Sequence, residues 1–511
     1  AYLIPAIYSG KKTLVSTEGK ALQDQLSQKD LPFLHSVLPV SFAFTTLKGI
    51  NNYVCLYEYG SEAMQQMQAL GPSDELAALQ AWLETTEDGD LSAAPVSLSP
   101  ALREAVTTTS DDCLGADCPL ADRCYYRRAR ATADAAQVVV VNHTLLALDL
   151  SLRDRTEDAA TVLPDRDLIV IDEAHALEEI ATKAFSVELG QFAIRRLLSG
   201  KRAQRAKFDP AAIQRAIAAS DDLFNHILLR DERQSFRVTP TERVQQLGTN
   251  LVAALKPFPA QAERAAGDAE STATQRALER YAERIRKAIQ AVKEVTGLTG
   301  DSDDTVLYAE TEWRGRGERV ATLKRAPISV AADLRRALWS RWPVVATSAT
   351  LTTSSGFDYF RERVGADVAR AIEVGSPFDY RRNALLYLPK DGRALDPSRY
   401  RQDGSVEYFD RLAGEIERLL LASDGRAFCL FASRKALDEV YDRIGSRLRW
   451  TVLRQGELPF PELVRRFRED GHAVLFGLRS FWTGVDIQGD ALSLVVIDKL
   501  PFPAPDDPIY Q

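Results

Sequence analysis

Residues 168–175 read "LIVIDEAH", a continuous apolar run that ends on two adjacent acids. Such a run, β-branched through its centre, predicts a strand buried on both faces, and strands of that kind belong to parallel sheets. Open parallel sheets bind ligands beyond the carboxyl ends of their strands, where Asp172 and Glu173 emerge. Paired acids at that edge suit phosphoryl transfer: Asp172 to hold Mg²⁺, and Glu173 to orient and deprotonate the attacking water. His175 is placed to sense a terminal phosphate and relay its loss to neighbouring segments. Acids also favour a helix N-terminus for its dipole alone. The apolar run in front of them makes the chemical reading the stronger one.

The pattern recurs on either side. "KTLVST" (12–17), "QVVVV" (137–141), "WPVVATSATL" (342–351), "RAFCLFAS" (426–433), "AVLFGL" (473–478) and "LSLVVIDKL" (492–500) are short apolar runs separated by helical stretches. They fall into two groups, before residue 365 and after about residue 375, which predicts two α/β domains with parallel sheets. Residues 186–300 carry almost no strand-like run. In "RALERYAERIRKAIQAVKEV" (276–295), Leu278, Tyr281, Ile285, Ile289, Val292 and Val295 recur at helical steps with charges on the other face, so this region reads as a helical insertion. "VVATSATL" (344–351) repeats the logic of the acid strand. Ser348 and Thr350 stand at its tip, where hydroxyls either cap a turn or bridge a nucleotide site to a second ligand.

At 511 residues the chain exceeds one ordinary core, and its 45% apolar and 27% charged residues are those of a globular protein. No apolar run approaches the ~18 residues of a membrane span. The basic residues of "AYLIPAIYSGKK" follow its apolar stretch, the reverse of a secretory signal. A net charge of −8 gives no overall attraction for nucleic acid and leaves that role to local basic faces. Five cysteines, four of them before residue 125, do not form the even, spread set of a disulfide framework, so a reducing, cytoplasmic setting is expected.

Three of those cysteines, Cys113, Cys118 and Cys124, crowd into "DDCLGADCPLADRC" (111–124). No Cys-x-x-Cys knuckle of the kind structural zinc favours is present. Zinc, free thiols or an iron–sulfur cluster all remain open from the residues alone. Cys429, inside an apolar strand, reads as ordinary core. The basic stretches "RRLLSGKRAQRAK" (195–207) and "RIRK" (284–287) are either phosphate contacts or solvated helix faces. Directly after Cys124, Tyr125, Tyr126, Arg127 and Arg128 offer base stacking and phosphate contact together.

These motifs carry a resemblance. "DEAH" (172–175), "TSATL" (347–351), "GSPFDY" (375–380) and "SFWTGVDIQGDALSLVVIDKLPF" (480–502) are similar, in order, to motifs of the superfamily 2 DNA helicases of the XPD/DinG type. "STEGKALQDQL" (16–26) and "VVVVNHTLL" (138–146) are similar to others. The branch is the bacterial DinG family, particularly its YoaA-like members. The resemblance implies two RecA-like parallel-sheet domains, the first interrupted by a small iron–sulfur domain and an all-helical arch. The segments would be 1–45, 136–185 and 326–366 for the first domain, 46–135 for the iron–sulfur domain, 186–325 for the arch and 367–511 for the second domain. It also implies ATP hydrolysis with Mg²⁺ and 5′→3′ movement on single-stranded or forked DNA, in repair or replication.

Position by position, Asp172 and Glu173 match the Mg²⁺ and water-activating acids, and His175, Ser348 and Thr350 match coupling residues. Gly484 and Asp486 match the second-domain motif that meets nucleotide and DNA. Ser16, Thr17 and Lys20 match a segment along the DNA backbone, and Ser433 its second-domain counterpart. "LKGINNYVC" (47–55) resembles the family's cysteine segment and adds Cys55 to Cys113, Cys118 and Cys124, the set a [4Fe–4S] cluster needs. Ile50 stands where the family has arginine, and Thr483 where it has glutamate. No Gly-x-x-x-x-Gly-Lys-Ser/Thr loop is present, and the family's final arginine-finger motif is missing. The 511 residues therefore read as a piece truncated at both ends and inactive by itself. The rival expectations are a DNA-binding scaffold that has lost its motor and an RNA-directed DEAH-type ATPase.

Overall fold

A computed structural model describes residues 2–60, 64, 74–110, 112–231, 233–300, 302–314, 317–390, 395–396, 405–482, 485, 487, 489–500, 502 and 507–509. The chain divides into two compact units, residues 1–369 with 504–511, and residues 370–503. Among the described residues the strands are, in chain order, β1 (Thr13–Thr17), β2 (Phe44–Thr46), β3 (Val138–Asn142), β4 (Leu168–Asp172), β5 (Val187–Gly190), β6 (Ser235–Arg237) and β7 (Thr305–Arg314). They continue with β8 (Glu318–Pro327), β9 (Val344–Thr347), β10 (Ala427–Leu430), β11 (Val452–Arg454), β12 (Val474–Gly477) and β13 (Leu494–Ile497).

The first unit is built on a parallel sheet of order β2-β3-β1-β4-β9. Its central strands alternate between two cores. Leu14, Val139, Val141, Ile169 and Ile171 pack on one face against the helices His143–Thr156 and Leu177–Phe185. Val15, Val138, Val140 and Val170 pack on the other against Leu3, Ile7 and Leu31. Burial on both sides is why these strands are continuous apolar runs in the sequence. The second unit holds a parallel sheet of order β11-β12-β10-β13, with Cys429 fully buried in β10. Burial pushes that thiol up to about 12, so it is inert core.

The insertion departs from expectation: it is not all-helical. Residues from 187 to 327 include β5, β6, β7 and β8, which form an antiparallel sheet of order β5-β8-β7-β6. Leu307, Ala309, Ala321 and Leu323 point from that sheet into the large core that also holds Leu278, Tyr281, Ile285, Val292 and Val295 of the helix Thr272–Val295. The helical period was legible; the strands were not, because their exposed positions carry charges. Lys324 pairs across strands with Glu188 at 3.0 Å and Glu310 at 2.8 Å, so polar residues serve as cross-strand ties.

Residues 504–511 group with the first unit rather than the second, contrary to the expected 367–511 domain. Ile509 packs on Val306, Tyr308 and Ala326, and the Arg237 guanidinium donates to the Pro508 carbonyl at 3.3 Å. The segment around the cysteines has its own small core of Tyr53, Val54, Met64, Leu76, Leu79, Leu91, Leu102, Val106 and Tyr125. A core of that size gives little stability by itself and gains from a covalent or metal staple. No described helix is long and apolar enough to cross a membrane.

Candidate functional site

At the carboxyl edge of the first sheet, β4 ends at Asp172 and the backbone turns through Glu173 in a left-handed conformation, φ +55° and ψ +46°. For a residue with a β-carbon this costs of order 1–3 kcal/mol and persists only where surrounding contacts enforce it. Those contacts are present. The Ser348 hydroxyl, beyond the end of β9, donates to Glu173 Oε2 at 3.1 Å. His175 Nδ1 lies 2.9 Å from Ser348 Oγ and 3.3 Å from Glu173 Oε2. The serine proton being committed to the carboxylate, Nδ1 carries its own proton and shares it between these two oxygens. The Thr350 amide donates to Ser348 Oγ at 3.3 Å. His175 Nε2 faces Glu18 Oε2 at 3.7 Å.

The two acids sit in different electrostatic settings. The hydrogen bond from His175 holds the Glu173 carboxyl below the ordinary range, with Ser348 adding to it. Burial raises that of Asp172, partly offset by the hydroxyl of Tyr2, which donates to Asp172 Oδ2 at 2.9 Å. Glu173 is thus ionised and held at two points, ready to accept a proton. Asp172 is a half-buried carboxylate whose charge calls for a cation. Its oxygen donor chemistry fits Mg²⁺, which takes one or two protein carboxylates.

Ser16 and Thr17 close β1 beside these acids, both fully buried. Ser16 Oγ lies 2.7 Å from Nδ1 of the fully buried His143, and Thr17 Oγ1 has no hydrogen-bond partner among the described residues. Burial pulls His143 down to about 4, so its ring is neutral at physiological pH. Ser433, in the other unit, caps the helix Arg434–Ile444 by accepting from the Ala436 amide at 3.2 Å. The Lys20 side chain, Gly484 and Asp486 lie outside the described residues. Three residues were missed in the sequence: Tyr2, Glu18 and His143. Tyr2 gave no signal there, whereas Glu18 and His143 stood inside the quoted motifs.

The four early cysteines line one cavity together with Tyr126 and Arg127. They stand beside short helical turns, and at three of them backbone N–H groups reach sulfur. Gly115 N–H donates to Cys113 Sγ at 3.3 Å, Glu58 and Tyr57 donate to Cys55, and Leu120 to Cys118. Such donors stabilise ligating thiolates, and they tune iron–sulfur centres. Burial nonetheless pushes Cys55 up to about 11 and raises Cys118. Among the described residues no three metal-ligating side chains are gathered as tightly as a single ion requires. Four cysteines on one cavity wall are the donor type that an iron–sulfur cluster uses.

One expectation is corrected here. Tyr125 is 9% exposed and belongs to the small core; a β-carbon on Gly89 would sit 2.4 Å from its ring. A ring enclosed in this way offers no face to a base, and Arg128 covers it at 5.1 Å. Arg127 is exposed at the cavity rim. The basic stretches also find acidic partners. Arg202 and Arg284 pair with Asp112, Arg276 pairs with Asp117, and Arg280 donates to the Cys113 carbonyl at 2.7 Å. Arg276, Arg280 and Arg284 are one helical turn apart, so a single helix face clamps the cysteine loop. The double change Arg280→Ala with Arg284→Ala is expected to weaken that clamp by roughly 1 kcal/mol, these pairs being partly solvated. Faster amide exchange across residues 112–118 would report it, and the effect should shrink as salt is raised.

Comparison with known proteins adds a decisive observation. Residues 416–511 match the family model described as Helicase C-terminal domain, and residues 111–194 match DEAD_2. The whole chain aligns at 32% identity over 532 residues with the ATP-dependent DNA helicase YoaA of Escherichia coli (strain K12), covering 78% of that protein. The chain belongs to the DinG/YoaA helicase family. Another DinG/YoaA relative, the ATP-dependent helicase DinG of Mycobacterium tuberculosis (strain ATCC 25618 / H37Rv), is 33% identical over 550 residues, again across all of this chain and 78% of the relative. Among solved structures, a chain described as XPD_Helicase matches 97% of this chain and 78% of its own length at 14% identity and a TM-score of 0.48.

Proposed function

We propose that this DinG/YoaA family chain carries the core of an ATP-dependent DNA helicase that moves 5′→3′ on single-stranded DNA and works on forked DNA in the cytoplasm. The observation that carries this reading is the junction of Glu173, Ser348 and His175, where an ionised acid is tied to the tip of the neighbouring strand. Glu173 orients the attacking water and takes its proton. Ser348 and His175 keep the carboxylate aimed, and Thr350 holds Ser348 in turn. Bound at Asp172, Mg²⁺ would neutralise charge on the terminal phosphates. His175, facing Glu173 through one ring nitrogen and Glu18 through the other, relays loss of the phosphate to the neighbouring segment. Lys20 and, in the second unit, Ser433 contact the DNA backbone, while the buried Ser16 and Thr17 end the strand that leads to Lys20; Arg127 adds a phosphate contact, and Gly484 and Asp486 meet nucleotide and DNA.

Cys55, Cys113, Cys118 and Cys124 would hold a [4Fe–4S] cluster that staples the small cysteine domain, in which backbone donors at three of the four sulfurs support thiolate ligation. Raised thiols must lose protons to become ligands, so loading is expected to fall as pH drops below neutrality and to release protons when it occurs. Reconstitution followed at pH 6 and pH 8, about two units apart, checks this; equal loading would argue against thiolate ligation by this set.

The 511 residues contain no Gly-x-x-x-x-Gly-Lys-Ser/Thr loop, so the isolated chain is expected not to hydrolyse ATP. DNA-stimulated turnover by it, absent after Glu173→Gln, would contradict that. The full-length protein tests the rest: it should separate a duplex with a 5′ single-stranded tail and leave a 3′-tailed one intact. The reverse preference would overturn the polarity.

A further inference from the structure

His143 enters no part of the proposed chemistry, yet it is the only fully buried histidine among the described residues and touches both sides of the site. Its place follows from the fold. β3 ends at Asn142, whose side chain accepts from the Leu145 amide at 2.9 Å and caps the helix His143–Thr156. β1 lies between β3 and β4, with Ser16 in register with Val141 on one side and Ile171 on the other. The first residue of the capped helix therefore spans the end of β1 and reaches the residue after β4. Nδ1 lies 2.7 Å from Ser16 Oγ, and Nε2 lies 3.4 Å from the Glu173 carbonyl oxygen.

The partners fix the tautomer. A carbonyl only accepts, so Nε2 carries the ring proton and Nδ1 accepts from the Ser16 hydroxyl. The Glu173 carbonyl held in this way belongs to the one strained backbone position at the edge, with φ at +55°. Ser348 and His175 fix the carboxylate end of that residue; His143 fixes its main chain.

We propose that His143 is a positioning residue, which holds Glu173 in its left-handed conformation and ties it to Ser16, so that nucleic acid on the Ser16–Lys20 segment sets the aim of the acid. This rests on the reading of Glu173 as the water-orienting group. Ser16 is fully buried and so meets DNA only through movement of its strand end, and the imidazole carries that movement across to Glu173. The adjacent Thr17 hydroxyl is also buried and has no hydrogen-bond partner among the described residues.

The test uses the full-length protein and reads ATP turnover with and without single-stranded DNA, resolved into kcat and KM. His143→Phe keeps the ring volume and removes both hydrogen bonds. It should lower DNA-stimulated kcat by roughly 10²-fold, the cost of misplacing a catalytic group by about 1 Å, while KM for ATP stays within about threefold. His143→Gln places an amide N–H near the former Nε2 and should recover part of the lost DNA-stimulated kcat, with a response to DNA still below that of the unchanged protein. Ser16→Ala should blunt the DNA response as well, and combining it with His143→Phe should add little, as expected for groups in one chain of contacts. If His143→Phe does not fold, judged by its melting, the Gln and Ser16 variants carry the same test. An unchanged kcat and DNA response in His143→Phe overturns the proposal, as do additive losses in the double variant. If Glu173→Gln itself leaves turnover intact, the reading of Glu173 fails; if only His143→Phe is neutral, this inference fails alone.

Discussion

Glu173→Gln in the full-length protein is expected to cut DNA-stimulated ATP turnover by roughly 10²–10⁴-fold, the range a positioned general base supplies. The amide keeps the volume of the side chain, and its oxygen still accepts from Ser348, so the strand tip stays in place. What is lost is the negative charge and the ability to take a proton. Because neither nucleotide nor DNA needs that proton acceptor for binding, the loss should fall on kcat and leave affinity for ATP nearly unchanged. Single-turnover measurements at saturating ATP, beside equilibrium binding, check both halves. A variant that binds ATP poorly but turns over what it binds at the normal rate would assign Glu173 to binding instead.

Cys118→Ser is expected to abolish stable cluster loading and to destabilise residues 46–135 with it. A serine oxygen is a poor replacement for a soft thiolate, and the core there is small. About four irons and four acid-labile sulfides per chain are expected in anaerobically purified protein, falling sharply in the variant. The arginine clamp links that loss to the insertion, since Asp112, Asp117 and the Cys113 carbonyl are its anchor points. Proteolysis between residues 105 and 125 should therefore become faster in Cys118→Ser. Stoichiometric zinc without sulfide would reassign the cavity to a structural clip.

The parts of this molecule that were legible in its sequence are those where one physical demand acts alone. Strands buried on both faces are apolar along most of their length, as in β3, β4, β10 and β12; β9 and β13 also fall in apolar runs, although Val345, Val495 and Ile497 are exposed. The helix Thr272–Val295 buries one stripe and shows its period. The short strands β2 and β11, three residues each, left no run to see. β7 and β8 carry charges that pair only across the finished sheet, so their strand character depends on partners distant in the chain. Tyr125 shows the same limit at a single residue. Its neighbour Tyr126 is also partly buried, against Tyr53, and the sequence does not show that the approach of Gly89 encloses the Tyr125 ring further. At the edge of the first sheet, Asp172, Glu173, His175 and Ser348 were legible because strand ends put chemistry at predictable places. Tyr2 was not, because a lone tyrosine at a helix start carries no mark of the carboxylate it will meet.

The central question is whether the full-length protein is a motor driven by DNA. The most direct measurement is its steady-state ATP turnover with no nucleic acid, with single-stranded DNA and with single-stranded RNA of the same sequence, each beside the Glu173→Gln variant. Strong stimulation by DNA, little by RNA, and loss of both in the variant are expected. Equal or greater stimulation by RNA, or no turnover under any condition in protein that binds DNA, would contradict this expectation.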